Sequence, residues 1–202
     1  VDAHNIVPVW VASGKKEYGA YTLRPKLHRL LTDYLTDIPV LSPLPRAKKS
    51  LSKTFDCAKL LEGVWQGNAV EVDWCLPGEY RAGQAMEQAL RERLPGYDVR
   101  RNDPCLDGQS NLSPYLHFGH LSTQRLAFEV CRSSLADKDR EAFLEELIVR
   151  RELADNFCYY EPDYDNRCGF PAWARKTLED HRLDHRQYCY SLDQWEQART
   201  HD

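Results

Sequence analysis

Two stretches hold the residues best suited to chemistry: Arg100-Arg101-Asn102-Asp103-Pro104 and Gln109-Ser110-Asn111-Leu112-Ser113-Pro114-Tyr115-Leu116-His117-Phe118-Gly119. Ser110 and Ser113 are good N-cap types and Pro114 suits a first helical turn, so the free N–H groups of that turn form an anion site beside the hydroxyls. An ordinary capped surface helix uses the same residues, and local chemistry leaves both readings open. Glu146 is a second candidate: it stands four residues before Arg150 and shares its helix face, while Leu147 and Ile148 turn inward. A solvated Glu–Arg pair at that spacing, contributing roughly 0.2–0.5 kcal/mol, is the plain alternative. Tyr97 is either a ligand contact or a core aromatic, and Asn102-Asp103 before Pro104 also suits a turn.

Several elements must position these groups. Ile6 to Val11 is a short β-type run, and Leu27, Leu30, Leu31 and Tyr34 recur at helical spacing, which together predict a βα unit over 1–42. Prolines 39, 43 and 45 and the basic residues after them predict a linker over 43–76. Pro77 and Gly78 then open a helix over 79–93 with Ala82, Ala85, Met86, Ala89 and Leu90 as its apolar stripe, and Pro95-Gly96 ends it. A second helix is expected over 114–131. A third is expected over 140–160, with Phe143, Leu144, Leu147, Ile148, Ala154, Phe157 and Cys158 buried, and a short helix starts at Trp173. The expected fold is therefore mainly α over 77–202, preceded by a short α/β piece.

The chain has 202 residues, 42% of them hydrophobic and 11% aromatic, enough to bury a sizeable core. No apolar run approaches the roughly 18 residues of a membrane span, and no signal peptide is evident. The seven cysteines show no Cys-x-x-Cys spacing, and His181 with His185 lacks further ligands, so neither a disulfide framework nor a metal site is expected. A net charge of −4 gives no global attraction to nucleic acid. Binding to DNA would rest on local patches: Arg46, Lys48, Lys49 and Lys53; Arg91, Arg93, Arg100 and Arg101; or Arg175, Lys176, Arg182 and Arg186.

Ser110 to Gly119 resembles the flavin-phosphate motif of the photolyase and cryptochrome family. Asp2-Ala3-His4-Asn5-Ile6-Val7-Pro8-Val9-Trp10, Arg101-Asn102-Asp103-Pro104 and Glu145-Glu146-Leu147-Ile148-Val149-Arg150-Arg151-Glu152-Leu153-Ala154-Asp155-Asn156-Phe157, in that order, resemble class II cyclobutane pyrimidine dimer photolyases. The resemblance implies the N-terminal part of a helical FAD-binding domain at 77–202, after a remnant of an α/β antenna domain at 1–42. Val1 in place of Met and an end at Thr200-His201-Asp202 make an internal fragment the expectation.

The same resemblance implies roles. Gln109, Ser110, Asn111, Leu112 and Ser113 would hold the FAD pyrophosphate, Arg150 would neutralise its charge and Tyr97 would contact the flavin. Arg101 and Asn102 would line the dimer and flavin pocket. Glu146 would meet the pyrimidine dimer, and in a dry pocket its pKa would rise so that it shares a proton with a thymine carbonyl. The implied activity is light-driven splitting of cyclobutane dimers in UV-damaged DNA by a monomeric enzyme of the cytoplasm or nucleus. Reduced FAD would be the cofactor, with an antenna chromophore in the full-length protein. A cryptochrome-type photosensor and a non-catalytic remnant are the alternatives.

Overall fold

A computed structural model describes residues 2, 4–40, 42, 56, 59 and 72–201, so most of the expected linker lies outside the described residues. Among the described residues the regular elements are helical. The β-type run at Ile6 to Val11 is not a strand. Strand N–H groups need a neighbouring strand, and here other acceptors take them. Glu152 Oε1 accepts from the N–H of Ile6 at 2.8 Å and of Val7 at 3.4 Å, and Asp2 Oδ1 accepts from His4 and Asn5 at 3.0 Å each. Pro8 then opens the single-turn helix α1 (Val9–Ala12). The apolar signal was a burial signal, since Ile6, Val7 and Val9 are core residues.

Helix α2 (Ala20–Tyr34) starts earlier than the leucine spacing predicts, after an extended Gly19, and buries Ala20, Leu23 and Leu27. Helix α3 (Glu79–Gln88) continues into the π-helical turn Ala89–Arg93, with Ala82, Met86 and Ala89 buried as expected. A short α4 (Tyr97–Arg100) follows. The helix expected over 114–131 is two helices, α5 (Ser113–His117) and α6 (Thr123–Arg132). Gly119, at φ +70, breaks the run by a left-handed step that L side chains disfavour, and Ser122 caps the new start by accepting from the N–H of Arg125.

The third expected helix starts as α7 (Asp137–Leu144), winds as a π helix over Glu145–Arg150 and resumes as α8 (Arg151–Tyr160). Leu147, Ile148 and Val149 from the π turn join Leu23, Leu27, Leu126, Val130 and Phe143 in one hydrophobic cluster. The segment at 6–27 thus shares a core with the helices that follow 79.

The chain divides into two units, Val1–Asn156 and Phe157–Asp202. In the second, a 3-10 turn (Arg167–Gly169), α9 (Ala172–Asp180) and α10 (Leu192–Glu196) bury little, and the last begins with a Ser191–Gln194 capping box. Tyr190 packs edge-on to Trp195 with centroids 5.5 Å apart.

Candidate functional site

The site is built from α4, the loop after it and the π turn. Buried Asp139 on α7 accepts from the N–H of Gly96 at 2.7 Å and of Asp98 at 3.1 Å, which fixes the start of α4. Burial pushes the Asp139 carboxyl up, but these backbone donors outweigh it and hold its pKa below the usual range. Gly96 sits at φ +76, and the next residue, Tyr97, is delivered edge-on to Phe143 with ring centroids 5.3 Å apart. Burial, with Glu146 nearby, raises the Tyr97 phenol pKa, so it stays a neutral hydrogen-bonding group.

One turn on, the Arg101 guanidinium lies 5.8 Å from the Tyr97 ring centroid. Its Nη1 donates to Glu146 Oε1 at 2.6 Å and to the Ala142 carbonyl at 3.3 Å, while its buried Nε has no partner. The loop beyond is cinched from both sides. Arg93 pairs with Asp107 at 2.8 Å, Arg100 donates to the Asp107 carbonyl at 2.8 Å, and the Gln109 amide donates to the Arg101 carbonyl at 3.3 Å. Gly108 passes so close that a Cβ there would stand 2.4 Å from the Arg100 carbonyl oxygen, so only glycine fits. Asp103 accepts from the N–H of Cys105 at 2.9 Å, the turn role that Asn102-Asp103-Pro104 allows.

Between these elements opens a cavity of about 450 Å³ lined by Tyr97, Arg101, Asn102, Gln109, Glu146 and Arg150. All six were singled out in the sequence. The π winding explains how Glu146 and Arg150 come to share it. Residues five apart nearly overlay in a π turn, so Arg150 reaches Glu145 at 3.4 Å, and the expected i,i+4 pair with Glu146 gives way to the Arg101–Glu146 contact. Glu145 is in turn held by both Arg24 nitrogens at 2.9 and 2.7 Å, which, with Arg150, lowers its pKa. The Glu146 side chain is 42% exposed, so the dry pocket is not present here. The site is an open polar one.

Ser110, Asn111, Leu112 and Ser113 do not line this cavity. Leu112 is fully buried in the core, Ser110 Oγ accepts from the Leu112 N–H at 3.3 Å, and Asn111 takes a left-handed φ of 60. Neither serine caps α5: the N-cap is Leu112, without a side-chain bond, and Ser113 is already helical. Two residues that shape the site were missed, Asp139 and Gly108. The first carried no signal within the charged run 137–141, whereas Asp107-Gly108 is a recognisable turn pair. Among the described residues no cluster of three or more His, Cys, Asp or Glu could hold a metal ion, and no helix is long and apolar enough to cross a membrane.

The helical frame thus brings a phenol, two guanidiniums, two amides and one carboxylate around one open cavity, a donor and acceptor set chemically suited to a polar, partly anionic molecule. No family model matches the chain. Curated relatives do. Deoxyribodipyrimidine photo-lyase of Oryza sativa subsp. japonica is 47% identical over all of this chain, which covers 42% of that protein. The protein of the same name from Arabidopsis thaliana is 45% identical over all of this chain and 43% of its own length, and that of Potorous tridactylus 43% identical over all of this chain and 38% of its own. Over its whole length the chain is similar to these proteins named deoxyribodipyrimidine photo-lyase, and it spans about two fifths of their length.

Proposed function

We propose that this chain is part of a class II cyclobutane pyrimidine dimer photolyase that binds FAD and acts on UV-damaged DNA. The cavity carries the reading. Residues far apart in sequence, whose types the family resemblance had marked, line one space in the folded chain. Its donor set suits such a ligand: the two guanidiniums match phosphate or carbonyl oxygens.

When bound, a reduced flavin supplies on excitation the electron that opens the cyclobutane ring. The chain's own residues bind and orient. Tyr97, held by Phe143 and the Asp139-anchored turn, gives a rigid edge to the cavity. Arg101 orients Glu146, whose second oxygen is left to accept a hydrogen bond from an extruded pyrimidine N–H, and Arg150 offers positive charge on the same wall. Gln109 and Asn102 add amide donors and acceptors.

The test is the visible spectrum of the purified chain after mixing with excess FAD and gel filtration. A flavin band near ~450 nm that co-elutes with the folded chain, and that weakens in an Arg101→Ala variant, is the expected result. Retention unchanged in that variant overturns the assignment of this cavity. In a complete homologue, the Glu146→Ala change lowers repair yield with flavin still bound; an unchanged yield removes Glu146 from the reaction.

A further inference from the structure

A second candidate binding site lies in the Phe157–Asp202 unit. The Asn166 side chain opens the 3-10 turn by accepting from the Cys168 N–H at 2.8 Å. Gly169 is buried, and a Cβ there would meet the Asp163 carbonyl oxygen at 2.5 Å, so the turn is stacked on the preceding loop by a glycine that nothing can replace. This fixes where Arg167 emerges. Across from it, Arg175 and Glu179 share a face of α9, and Arg182 follows just past its end with its N–H bonded to the Glu179 carbonyl at 3.2 Å. The three arginines, with Cys168, Leu178 and Glu179, line a cavity of about 400 Å³.

Charge pairing separates these arginines from their neighbours. Lys176 is taken by Asp180 at 2.5 Å, Arg186 lies 3.9 Å from Asp184, and Arg199 is held by Asp193 at 2.7 Å. Within the cavity only Arg182 has a carboxylate, Glu179 at 3.0 Å; neither Arg167 nor Arg175 has one among the described residues. Three guanidiniums therefore face one space against a single acid, in a chain whose net charge is −4. The focus of positive charge is local and not a by-product of composition. Forked guanidinium donors recognise phosphate oxygens bidentately.

We propose that the Arg167, Arg175 and Arg182 cavity seats a backbone phosphodiester of DNA, at a site separate from the one around Glu146. The choice of DNA as the polyanion rests on the function proposed above. The seat reads no sequence and no lesion; it adds affinity and salt dependence.

The experiment is fluorescence anisotropy of the full chain with a labelled, undamaged duplex over a salt series, comparing the wild type with an Arg167→Gln/Arg175→Gln double variant. Both side chains are exposed, and circular dichroism with a melting curve checks that the variant is folded. The double variant is expected to bind about tenfold more weakly at low salt, with the salt slope smaller by about 1, since the one phosphate seated there contributes about 0.9. Arg175→Lys, which keeps the charge and loses the fork, is expected to fall between the two. Equal affinity and slope in the folded double variant, or no binding by the wild type, overturns the proposal. Calorimetry with inorganic phosphate separates the sources of the anion: loss of phosphate binding in the double variant with duplex affinity unchanged also overturns the DNA assignment. Because no lesion is present, a negative result here leaves the Glu146 reading standing, and failure of Glu146 to matter for repair leaves this one standing.

Discussion

Glu146 and Glu152 sit six residues apart on one continuous helical run, yet they occupy opposite kinds of environment. Glu146 faces an open cavity, meets Arg101 at 2.6 Å and keeps a side chain 42% exposed. Glu152 is only 3% exposed, and one of its oxygens anchors the backbone of Ile6 and Val7 while the other has no partner. Burial pushes the Glu152 carboxyl up to about 7, against the lowering effect of those two N–H groups and of Arg151. Its neighbours continue the clamp: Arg151 donates to the His4 carbonyl at 2.8 Å, and fully buried Asn156 accepts from the Glu17 N–H at 2.7 Å and donates to the Lys15 carbonyl at 3.1 Å. One face of the run is available to a ligand and the next holds the chain's first segment in place. A perturbed carboxyl is a marker of function only when a ligand can reach it, and the perturbed Glu152 carboxyl is buried and serves the fold.

The largest expected effect is therefore on the clamp. Glu152→Ala leaves two buried N–H groups unpaired and opens a void, and should lower stability by about 2–4 kcal/mol in denaturant titration, whereas Glu146→Ala should change it by less than about 1 kcal/mol. Similar losses for both would end the distinction.

A somewhat smaller effect sharpens it by pH. The folded pKa of Glu152, about 7, lies above its ordinary value of 4.5. The folded state thus holds the proton more tightly, so the contribution of this group is fully present below about pH 4.5 and is lost as pH rises through 7. By linkage this amounts to roughly 2–4 kcal/mol. Glu17 works in the opposite window. Burial raises its pKa, but hydrogen bonds from Lys26 and Ser13 bring it down to about 2, so its contribution is present above 4.5 and fades as pH falls towards 2. Stability should peak near pH 4–6. Glu152→Gln, which keeps the accepting oxygen and cannot ionise, should flatten the fall between pH 5 and 8; a wild-type-like slope in that variant would assign the titration to another group.

The difference between the two carboxylates was only partly legible beforehand. Helical periodicity located the run and its buried Leu147 and Ile148, because a stripe of apolar residues records which face is inside. It could not register the π turn, since one extra residue per turn leaves no mark in composition, and so the i,i+4 partner of Glu146 was misassigned to Arg150. The strand expected at Ile6 to Val11 failed for a related reason. Its backbone partners, above all Glu152, lie more than a hundred residues away, and local β propensity cannot show them. The six lining residues were legible through family resemblance, and what delivers two of them was not: Asp139 acts through backbone bonds, and Gly108 through an absent side chain.

Gly108 gives the smallest expected effect and the most local one. Its Cβ position overlaps the Arg100 carbonyl oxygen, a backbone atom that cannot swing aside, so Gly108→Ala must push the 103–109 loop away from α4. Strain of that kind costs about 1–3 kcal/mol when it is not relieved, but this loop is exposed at its tip and can yield, so the stability loss should sit near the lower end. The site is where the change should register. Displacing the loop lengthens the Gln109–Arg101 contact and the Arg93–Asp107 pair, both of which hold the cavity's outer wall. Flavin retention should therefore fall further in Gly108→Ala than in Glu152→Gln, although both variants are folded at pH 6. Equal retention in the two would mean that the outer wall is not part of the binding site and would move the ligand towards the Tyr97 and Glu146 side of the cavity.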